Sequence, residues 1–591
     1  MLRVDVTVEV CGTAGDGTIA AGGLLNQAMS ESGFSVLGFD SYPAEIRGFG
    51  RCVTRSRIGD RDISALEDTA NVLISLDDSQ SRARIPFLAP NAAVFFDSNP
   101  PTYIQEEDSL TSLLEPGTVL CGLPIADLAT EASGSARGRN LTALGGFAGA
   151  FGLDPAPFRK VITRKFEAKG AQVLDANLRC FEAGYDFGRE QLSDRVPEIF
   201  GPRNITEGPE RVMLSGNLAI GRAAIDAGLK LYFGYPITPA TPIMEYLAAK
   251  LPEQGGQVVQ MEDEIASIAA VLGSYYAGSI SMTATSGPGF ALMTELIGLG
   301  VMAEIPAVIL NAQRGGPSTG LPTKTEQSDL HAAVFGGPGD SPRIVIAPTN
   351  VEECYHFTMK SFRIAEKYQT PVIVLTDFFL DNRVENLPMP KAGEEEKAHD
   401  NLYPSESDKG NYKRYAATDS GISPRSIPGT EGFQYTATGL EHTEEGIPDY
   451  SADNHMLMSA KRHRKIQAAL ADLPAPEVIS PDGALDVGVI SWGSTFGSVL
   501  EAVHTAHEHG MKVGAMKITS LFPYHEDLIR AFMNRCDEIL IPELNFGGQL
   551  ADLIGRLHGK DVIRMNRATG VPIAPSLILK EIETLVMEGG K

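Results

Sequence analysis

Three stretches of the chain alternate short apolar runs with glycine-led helical segments. In the first, VDVTVEV is followed by GTAGDGTIAAGGLLNQAM and FSVLGFD; in the second, ISMTATSGPGF precedes AVILNAQRGG and TPVIVLTD; the third contains VGVISW, KVGAMKI and EILIPE. Apolar runs of this length, separated by helical segments, are typical of buried strands in parallel sheets. The pattern therefore predicts an α/β protein with several doubly wound domains.

The 591 residues are enough for several such domains. We predict a first α/β domain at 1–195, a linker at 196–211 where apolar periodicity stops, and a second α/β domain at 212–385. Residues 386–481 are acidic and rich in Gly, Pro and Ser, which is typical of an extended connector. A third α/β domain is predicted at 482–591.

Charge and cysteine usage exclude several classes of protein. The chain has 50 Lys and Arg against 75 Asp and Glu, a formal charge of −25, which disfavours nucleic acid or an anionic membrane as a partner. The most apolar window, residues 289–310, is interrupted by Glu295 and Glu304, so we predict a buried helix and strand there. The start has no signal-peptide pattern, and no CxxC pair occurs, so we expect a cytoplasmic chain without a metal site of its own. The cysteines are Cys11, Cys52, Cys121, Cys180, Cys354 and Cys536.

A glycine turn near the start of the chain has two interpretations. Residues 15–20, GDGTIA, match the loose dinucleotide pattern GxGxxA, with Asp40 at the end of the next strand as a possible ribose ligand, although any tight strand-to-helix turn favours glycine. The same GDG also begins thiamine diphosphate motifs, in which a later Asn pair completes a Mg²⁺ site. No Asn-Asn pair occurs in this chain, so the usual anchor for diphosphate and metal is absent from it.

The segment that begins at Met261 predicts a helix with a carboxylate on its apolar side. At about 100° per residue, Glu264 falls on the same face as Ile268, Val271 and Tyr275, and Ile265 and Leu272 widen that face. Glu262 and Asp263 point elsewhere and are explained by their position at a helix N-terminus. A lone carboxylate in an apolar face is costly without a partner, so we expect a functional role for Glu264.

Polar loops follow several of the predicted strands. Tyr235-Pro236-Ile237-Thr238-Pro239, Ser286-Gly287 and Arg314 each come after an apolar run, at the strand ends where α/β sheets bind ligands. Arg314 can bind a carboxylate through two hydrogen bonds, although a surface ion pair is the alternative. GSTFG at 493–497 and ELNFGGQ at 543–549 are weaker candidates for an anion cradle.

Four motifs together resemble one family: YPITPATP, QMEDEIASIAAVLGS, TATSGPGF and QRGGPSTGLPTKTEQSDL. They are similar to the alpha subunit of 2-oxoacid:ferredoxin oxidoreductases, in particular the 2-oxoglutarate type. GTAGDGTIAAGGLL and SYPAEIRGFG resemble the gamma subunit of that family, fused here ahead of alpha. The last hundred residues resemble its transketolase C-terminal-like domain, and YTATGLEHTEEGIP in the connector also resembles the family.

The resemblance implies a cofactor site shared with a second chain. A separate beta subunit would carry thiamine diphosphate, Mg²⁺ and a 4Fe–4S cluster, and this chain would supply the pyrimidine-facing half of the thiamine site. Glu264 would bond the aminopyrimidine ring, with Pro236, Ile237, Ser286 and Gly287 beside it. The glutamate bond favours the imino tautomer of the ring, which removes the proton from the thiazolium carbon.

The resemblance also implies the substrates and partners. Thr238 and Arg314 would hold the oxo group and the 1-carboxylate, with Tyr235, Lys324 and His331 as further candidates near the substrate. The expected reaction converts 2-oxoglutarate and coenzyme A into succinyl-CoA and CO₂, and it reduces ferredoxin, in a dimer of heterodimers. Pyruvate or another 2-oxoacid is the alternative substrate. A non-catalytic scaffold or nucleotide-sensing subunit, built on the glycine turn and Asp40, is the alternative of a different class.

Overall fold

The computed structural model describes residues 4–42, 50–99, 110–201, 211–393, 401–557, 559 and 561–589. These residues belong to two compact units, one of residues 1–214 with 383–389 and one of residues 215–382 with 390–591. Three predicted features lie partly outside the described residues, namely 202–210 of the linker, 43–49 of the SYPAEIRGFG motif and 394–400 of the connector. The five-part division of the sequence stays a prediction.

The first unit is built on a mixed sheet. In spatial order, its described strands are Val119–Leu123, Leu88–Asp97, Ala70–Ser75, Asp5–Thr13, Arg51–Gly59, Ser35–Ser41, Val384–Pro388 and Arg211–Ser215. The first four of these strands run parallel, as the apolar runs NVLISLD and AAVFFD predicted. The helices are Thr18–Glu31, Asp78–Ser81, Ile125–Ser133, Arg139–Ala150, Pro155–Phe166 and Ala171–Gln191.

The position of the strand Arg51–Gly59 distinguishes the topology of this unit from that of a dinucleotide-binding fold. It pairs antiparallel with Asp5–Thr13 on one side and with Ser35–Ser41 on the other, whereas the dinucleotide motif needs its first two strands to be neighbours. Asp40, the candidate ribose ligand, instead accepts a hydrogen bond of 2.6 Å from Thr54 Oγ1. The strand order therefore gives no support to the nucleotide-sensing interpretation of the glycine turn.

The second unit contains two parallel-rich sheets. The larger has the described strands, in spatial order, Ser520–Phe522, Ile344–Ile346, Pro371–Asp377, Ala307–Gln313, Ser281–Thr285, Leu231–Gly234 and Gln257–Gln260. The smaller has Glu477–Ile479, Val513–Lys517, Leu485–Ser491, Cys536–Glu543 and Ile563–Asn566. Only Ser520–Phe522 and Glu477–Ile479 pair antiparallel among these described strands. The α/β fold class is confirmed.

Helices cover both sheets of the second unit. They are Gly216–Asp226, Thr241–Lys250, Glu264–Tyr276, Gly287–Met302, Leu330–Phe335, Val351–Tyr368, Phe378–Asn382, Ala452–Ala468, Thr495–Glu508, Glu526–Met533, Gln549–Ile554 and Pro575–Gly589. One apolar core joins side chains of both sheets, including Ile309 and Ile373 of the larger sheet and Ile490 and Ile541 of the smaller. In the part of the chain that the structure describes, no helix has both the length and the apolar content needed to cross a membrane.

The segment predicted as an extended connector contains a 17-residue helix, Ala452–Ala468, and several buried side chains. Lys461 and Lys465 of this helix donate hydrogen bonds of 2.5 and 2.7 Å to the two carboxylate oxygens of Glu304, and all three side chains are buried. Arg414 adds a 2.7 Å bond to the Glu304 carbonyl oxygen. The charged residues suggested an exposed segment, but some of them form buried ion pairs.

The charge on Glu304 depends on these partners. Burial alone would raise the pKa of this carboxyl, but the positive charges of Lys461, Lys465 and Arg414 outweigh burial and hold the pKa well below its usual value. Removing one member of such a cluster leaves a buried charge without a counter-charge. The resulting loss of stability is larger than the net stabilisation that the ion pair contributes.

We predict that Glu304→Gln lowers the free energy of unfolding by roughly 3–5 kcal/mol, because two lysine ammonium groups stay buried without a counter-charge. Urea denaturation at pH 7 measures the change. Glu295→Gln is the matched control, since Glu295 lies exposed on the preceding helix. Because the folded-state pKa of Glu304 is depressed, its stabilisation is present at neutral pH and is lost as pH falls. Equal midpoints for the two variants would contradict the prediction.

Candidate active site

Four neighbouring parallel strands of the larger sheet end at one edge, and the predicted site residues follow them. Leu231–Gly234 leads to the loop of Tyr235 and Thr238, Ser281–Thr285 leads to Ser286, and Ala307–Gln313 leads to Arg314. Pro371–Asp377, next in the sheet, ends in a buried aspartate. Since carboxyl ends of parallel strands share an edge, the fold collects these side chains in one region.

The helix Glu264–Tyr276 presents the predicted apolar face. Ile268, Val271, Leu272 and Tyr275 are buried, while Ile265 is exposed and does not extend that face as expected. Asp263 caps the helix, its side chain accepting a 2.7 Å bond from the backbone N–H of Ala266. Glu264 is itself only 6% exposed, which confirms the burial that the sequence indicated.

The Glu264 carboxylate lies against the first turn of the helix Gly287–Met302. A Cβ atom at Gly289 would come within 2.4 Å of Glu264 Oε1 and 2.1 Å of Thr285 Oγ1, so only glycine permits this approach. Within the described residues, no side chain donates a hydrogen bond to this carboxylate. The close packing fixes the carboxylate at the helix N-terminus and leaves its oxygens for another partner.

Thr238 and Arg314 are brought together from separate strand ends. Arg314 Nη1 donates a 2.8 Å hydrogen bond to the carbonyl oxygen of Thr238. Arg314 is 7% exposed, its Nε has no hydrogen-bond partner in the described structure, and burial lowers the pKa of its guanidinium against the opposing charge of Asp329. The guanidinium is therefore fixed at one nitrogen and retains donors for a carboxylate ligand.

Asp329 is a site residue that the sequence patterns did not single out. A Cβ atom at Gly287 would lie 2.7 Å from Asp329 Oδ2, so this acid faces the same helix turn as Glu264. Asn311 Nδ2 donates to the same oxygen at 3.2 Å, while Asn311 Oδ1 has no partner among the described residues. Burial raises the pKa of Asp329 to about 6, a change that the Asn311 bond opposes. Asp329 is within the quoted QSDL motif, but only the fold shows that it faces Gly287.

The remaining predicted residues have different surroundings. Tyr235 and Pro236 are exposed, Ile237 is half-buried and Ser286 is buried with its hydroxyl oxygen unpaired in the described structure. The side chain of Lys324 lies beside Gly570. His331 is bonded to Gln549, with its backbone N–H donating to Gln549 Oε1 at 3.0 Å and its ring Nε2 3.2 Å from the Gln549 carbonyl oxygen. Substrate binding by Lys324 and His331 stays a prediction.

Three family models match the chain in order. Residues 7–187 match pyruvate ferredoxin/flavodoxin oxidoreductase, and residues 222–461 match the thiamine diphosphate-binding part of pyruvate flavodoxin/ferredoxin oxidoreductase. Residues 485–577 match core domain II of pyruvate:ferredoxin oxidoreductase. The thiamine-binding match includes every site residue described above apart from the C-terminal contacts.

Several relatives align with nearly the whole chain. The 2-oxoglutarate oxidoreductase subunit KorA of Mycobacterium tuberculosis is 32% identical, over 96% of this chain and 89% of the relative. The alpha subunit of 2-oxoacid:ferredoxin oxidoreductase 2 of Aeropyrum pernix is 29% identical, over 94% and 93%. A solved structure of 2-oxoglutarate:ferredoxin oxidoreductase from Magnetococcus marinus, with 2-oxoglutarate, coenzyme A and succinyl-CoA bound, is 37% identical with a TM-score of 0.92. It covers 99% of this chain and 100% of its own.

We predict that Asp329→Asn stabilises the protein at pH 7.5 by at most about 3 kcal/mol, and by less at pH 4.5. The folded-state pKa lies above the unfolded value of 3.8, so the favourable protonated form is lost as pH rises through 6. Thermal denaturation at both pH values measures the difference. Asp340→Asn, at an exposed aspartate, is the control. A stabilisation independent of pH would contradict the assignment of a raised pKa to Asp329.

Proposed function

The chain belongs to the 2-oxoacid:ferredoxin oxidoreductase family, and from this premise we propose that it is the alpha subunit of an enzyme acting on 2-oxoglutarate. The reaction consumes 2-oxoglutarate, coenzyme A and two oxidised ferredoxins. It yields succinyl-CoA, CO₂, a proton and two reduced ferredoxins, each carrying one electron. The substrate assignment is supported by the names of the full-length relatives and by the ligands of the Magnetococcus marinus enzyme.

The observation that carries the proposal is the Glu264 carboxylate. It is buried in a thiamine diphosphate-binding domain, pressed against Gly289, and free of hydrogen bonds from the described side chains. A buried carboxylate in this state requires a donor, and a ring nitrogen of an aminopyrimidine supplies one when it carries a proton. Burial of an unpaired carboxylate costs stability, and a role as a non-catalytic scaffold does not account for that cost.

The residues around Glu264 fit the pyrimidine half of thiamine diphosphate. Ser286 Oγ and Asn311 Oδ1 are buried polar atoms without partners in the described structure. Asn311 pairs in the sheet with Thr285, whose hydroxyl oxygen lies against Gly289 as the Glu264 carboxylate does. Pro236 and Ile237 offer apolar surface from the neighbouring loop. Thiamine diphosphate supplies the nucleophilic carbon and the electron sink for decarboxylation. The Glu264 carboxylate would accept a hydrogen bond from a protonated ring nitrogen and so favour the tautomer that serves as the base.

Arg314 and Thr238 are proposed to hold the 2-oxoacid. The Arg314 guanidinium would take the 1-carboxylate through the donors not used by Thr238, and the Thr238 hydroxyl would donate to the 2-oxo oxygen. Charge at the substrate carboxylate would be matched by a cation already removed from water, which strengthens the interaction. Lys324, Tyr235 and His331 are the candidates in this chain for the distal carboxylate.

The remaining parts of the reaction are assigned to partners. No Asn-Asn pair for the Mg²⁺ anchor and no CxxC pair for a cluster occur in the sequence, which supports a beta subunit that carries Mg²⁺ and a 4Fe–4S cluster. The alpha-subunit names of the relatives support assembly with such a chain, for which we propose a dimer of heterodimers with ferredoxin as electron acceptor. The chain would act in the cytoplasm.

We predict that Glu264→Gln lowers kcat for 2-oxoglutarate oxidation at least about 100-fold, because an amide cannot support the required tautomer. Viologen or ferredoxin reduction by the chain co-purified with its beta partner measures the rate. Circular dichroism of bound thiamine diphosphate reports the tautomer independently of turnover. Glu262→Gln is the matched control, since Glu262 lies exposed two residues away.

The outcomes separate the function from its alternatives. Full activity and an unchanged dichroism band in Glu264→Gln would overturn the role of Glu264. Wild-type activity on pyruvate without activity on 2-oxoglutarate would keep the chemistry and overturn the substrate. No activity on any 2-oxoacid with all cofactors loaded would overturn the function.

We also predict that Arg314→Lys raises the KM for 2-oxoglutarate about tenfold or more. Lysine keeps the positive charge, but it loses the planar fork that bonds the carboxylate while a third nitrogen holds Thr238. Steady-state kinetics measure the change, with Arg464→Lys at an exposed position as the control. An unchanged KM would exclude Arg314 from the substrate carboxylate.

A further inference from the structure

The segment from Gly315 to Asp329 has little regular structure and connects two groups of site residues. It begins after Arg314, contains Lys324 and ends at Asp329 beside Gly287. Gly315 N–H donates to the Lys324 carbonyl oxygen at 3.0 Å and closes the first half of the segment into a loop. The second half has no such closure of its own, so its position depends on what surrounds it.

Gln327 fixes the second half of the loop. Its side chain is fully buried, with Nε2 donating to Asp377 Oδ2 at 3.1 Å and Oε1 accepting from Thr495 Oγ1 at 2.8 Å. Its backbone N–H donates to the Leu544 carbonyl oxygen at 2.7 Å, and its carbonyl oxygen accepts from Asn545 Nδ2 at 2.9 Å. Three of these four bonds come from the C-terminal α/β part of the chain.

The two glycine-rich C-terminal motifs form the socket for Gln327. A Cβ atom at Gly493 would come within 2.4 Å of Gln327 Nε2, so glycine at this position makes room for the amide. Thr495 follows in the same motif and supplies the hydroxyl. Leu544 and Asn545 come from the second motif and bond the backbone of Gln327 on both sides.

The second motif is itself held rigidly. Glu543 is fully buried and accepts the backbone N–H groups of Leu550 and Ala551 at 2.8 and 3.1 Å, together with Asn545 Nδ2 at 2.9 Å. The motif that could have cradled a foreign anion therefore holds the protein's own carboxylate. Asn545 Oδ1 also accepts from Gly548 N–H at 2.6 Å, which aligns its amide for Gln327.

We propose that Gln327 is a positioning residue through which the C-terminal α/β part sets the substrate loop 315–329. The inference rests on the proposed function and deepens it. Asp329 lies two residues beyond Gln327 and is held in turn, its backbone N–H donating to Gln313 Oε1 at 2.9 Å. Thr325 lies two residues before Gln327, and its hydroxyl donates to Asp377 Oδ1 at 3.2 Å. Neighbouring bonds on both sides transmit the position of Gln327 to Lys324 and Asp329.

In the proposed function the loop carries Lys324, a candidate for the distal carboxylate, and Asp329, whose charge acts on Arg314, and no residue of the loop is assigned to the chemical step. Loss of its position weakens the ground state and the transition state alike, so KM rises and kcat is retained. A side chain needed only for folding would change stability without separating the two constants.

The test removes the Thr495 hydroxyl, which donates a hydrogen bond to Gln327 Oε1. Thr495→Val keeps the shape of the side chain and removes its donor, and Thr495→Ser restores a donor. Thr505→Val removes a hydroxyl from the same helix, where that hydroxyl donates to the carbonyl oxygen of Glu501. Each variant is co-purified with the beta partner. Steady-state kinetics with 2-oxoglutarate and amide hydrogen exchange of the peptide spanning 315–331 are measured on the same preparations.

We expect Thr495→Val to raise the KM for 2-oxoglutarate about tenfold with kcat within about twofold, and to speed exchange in the 315–331 peptide about tenfold. Thr495→Ser and Thr505→Val should stay close to wild type in both measurements. A KM or an exchange rate in Thr495→Val equal to that of Thr505→Val overturns the proposal. If wild-type enzyme oxidises no 2-oxoacid, the function fails, and the exchange rates alone then support or overturn the positioning of the loop.

Discussion

The site depends on one geometric constraint, the shared edge at which four parallel strands end. The strand ends bring Thr238, Ser286, Arg314 and Asp377 into one region, although these residues lie far apart in the sequence. The same constraint creates a problem, because several polar side chains at this edge, including Ser286, Arg314 and Asp377, are buried and removed from water. The structure solves it by bonding most of these groups to one another and leaving a few, near Glu264 and Arg314, without a partner among the described residues.

The pattern of the sequence predicted this edge well, because strand ends and helix faces are local features. The apolar face of the helix Glu264–Tyr276 follows from a 3.6-residue period, and the burial of Glu264 follows from that face. Ile265 departs from the pattern, since it lies at the margin of the apolar face and faces outward. The loops of Thr238 and Arg314 were predicted from their position after strands, and the structure adds the bond that joins them.

The parts that the sequence did not predict all depend on pairs distant in the chain. Lys461 and Lys465 meet Glu304 more than 150 residues earlier, and in the sequence their charges are indistinguishable from those of a solvated segment. Asp329 became a site residue only through its approach to Gly287, more than 40 positions earlier. In the first unit, the antiparallel strand Arg51–Gly59 changes the neighbours of the glycine turn, a pairing that no periodicity in the turn itself encodes. The sequence shows which residues are charged or are glycine, whereas the distant residues that they contact are determined by the fold.

The buried polar groups of the Glu304 cluster and of the Gln327 socket have different structural effects. A buried ion pair contributes little net free energy compared with apolar packing, but it strongly disfavours any arrangement in which one charge is left alone. At Glu304 this penalty fixes where the helix Ala452–Ala468 packs. At Gln327 the amide itself is neutral and its bonds to Asp377 and Thr495 are directional, so they define orientation more narrowly than position. The loop that carries Lys324 and Asp329 needs control of orientation, and a buried amide bonded at both its nitrogen and its oxygen provides that control without adding a charge of its own.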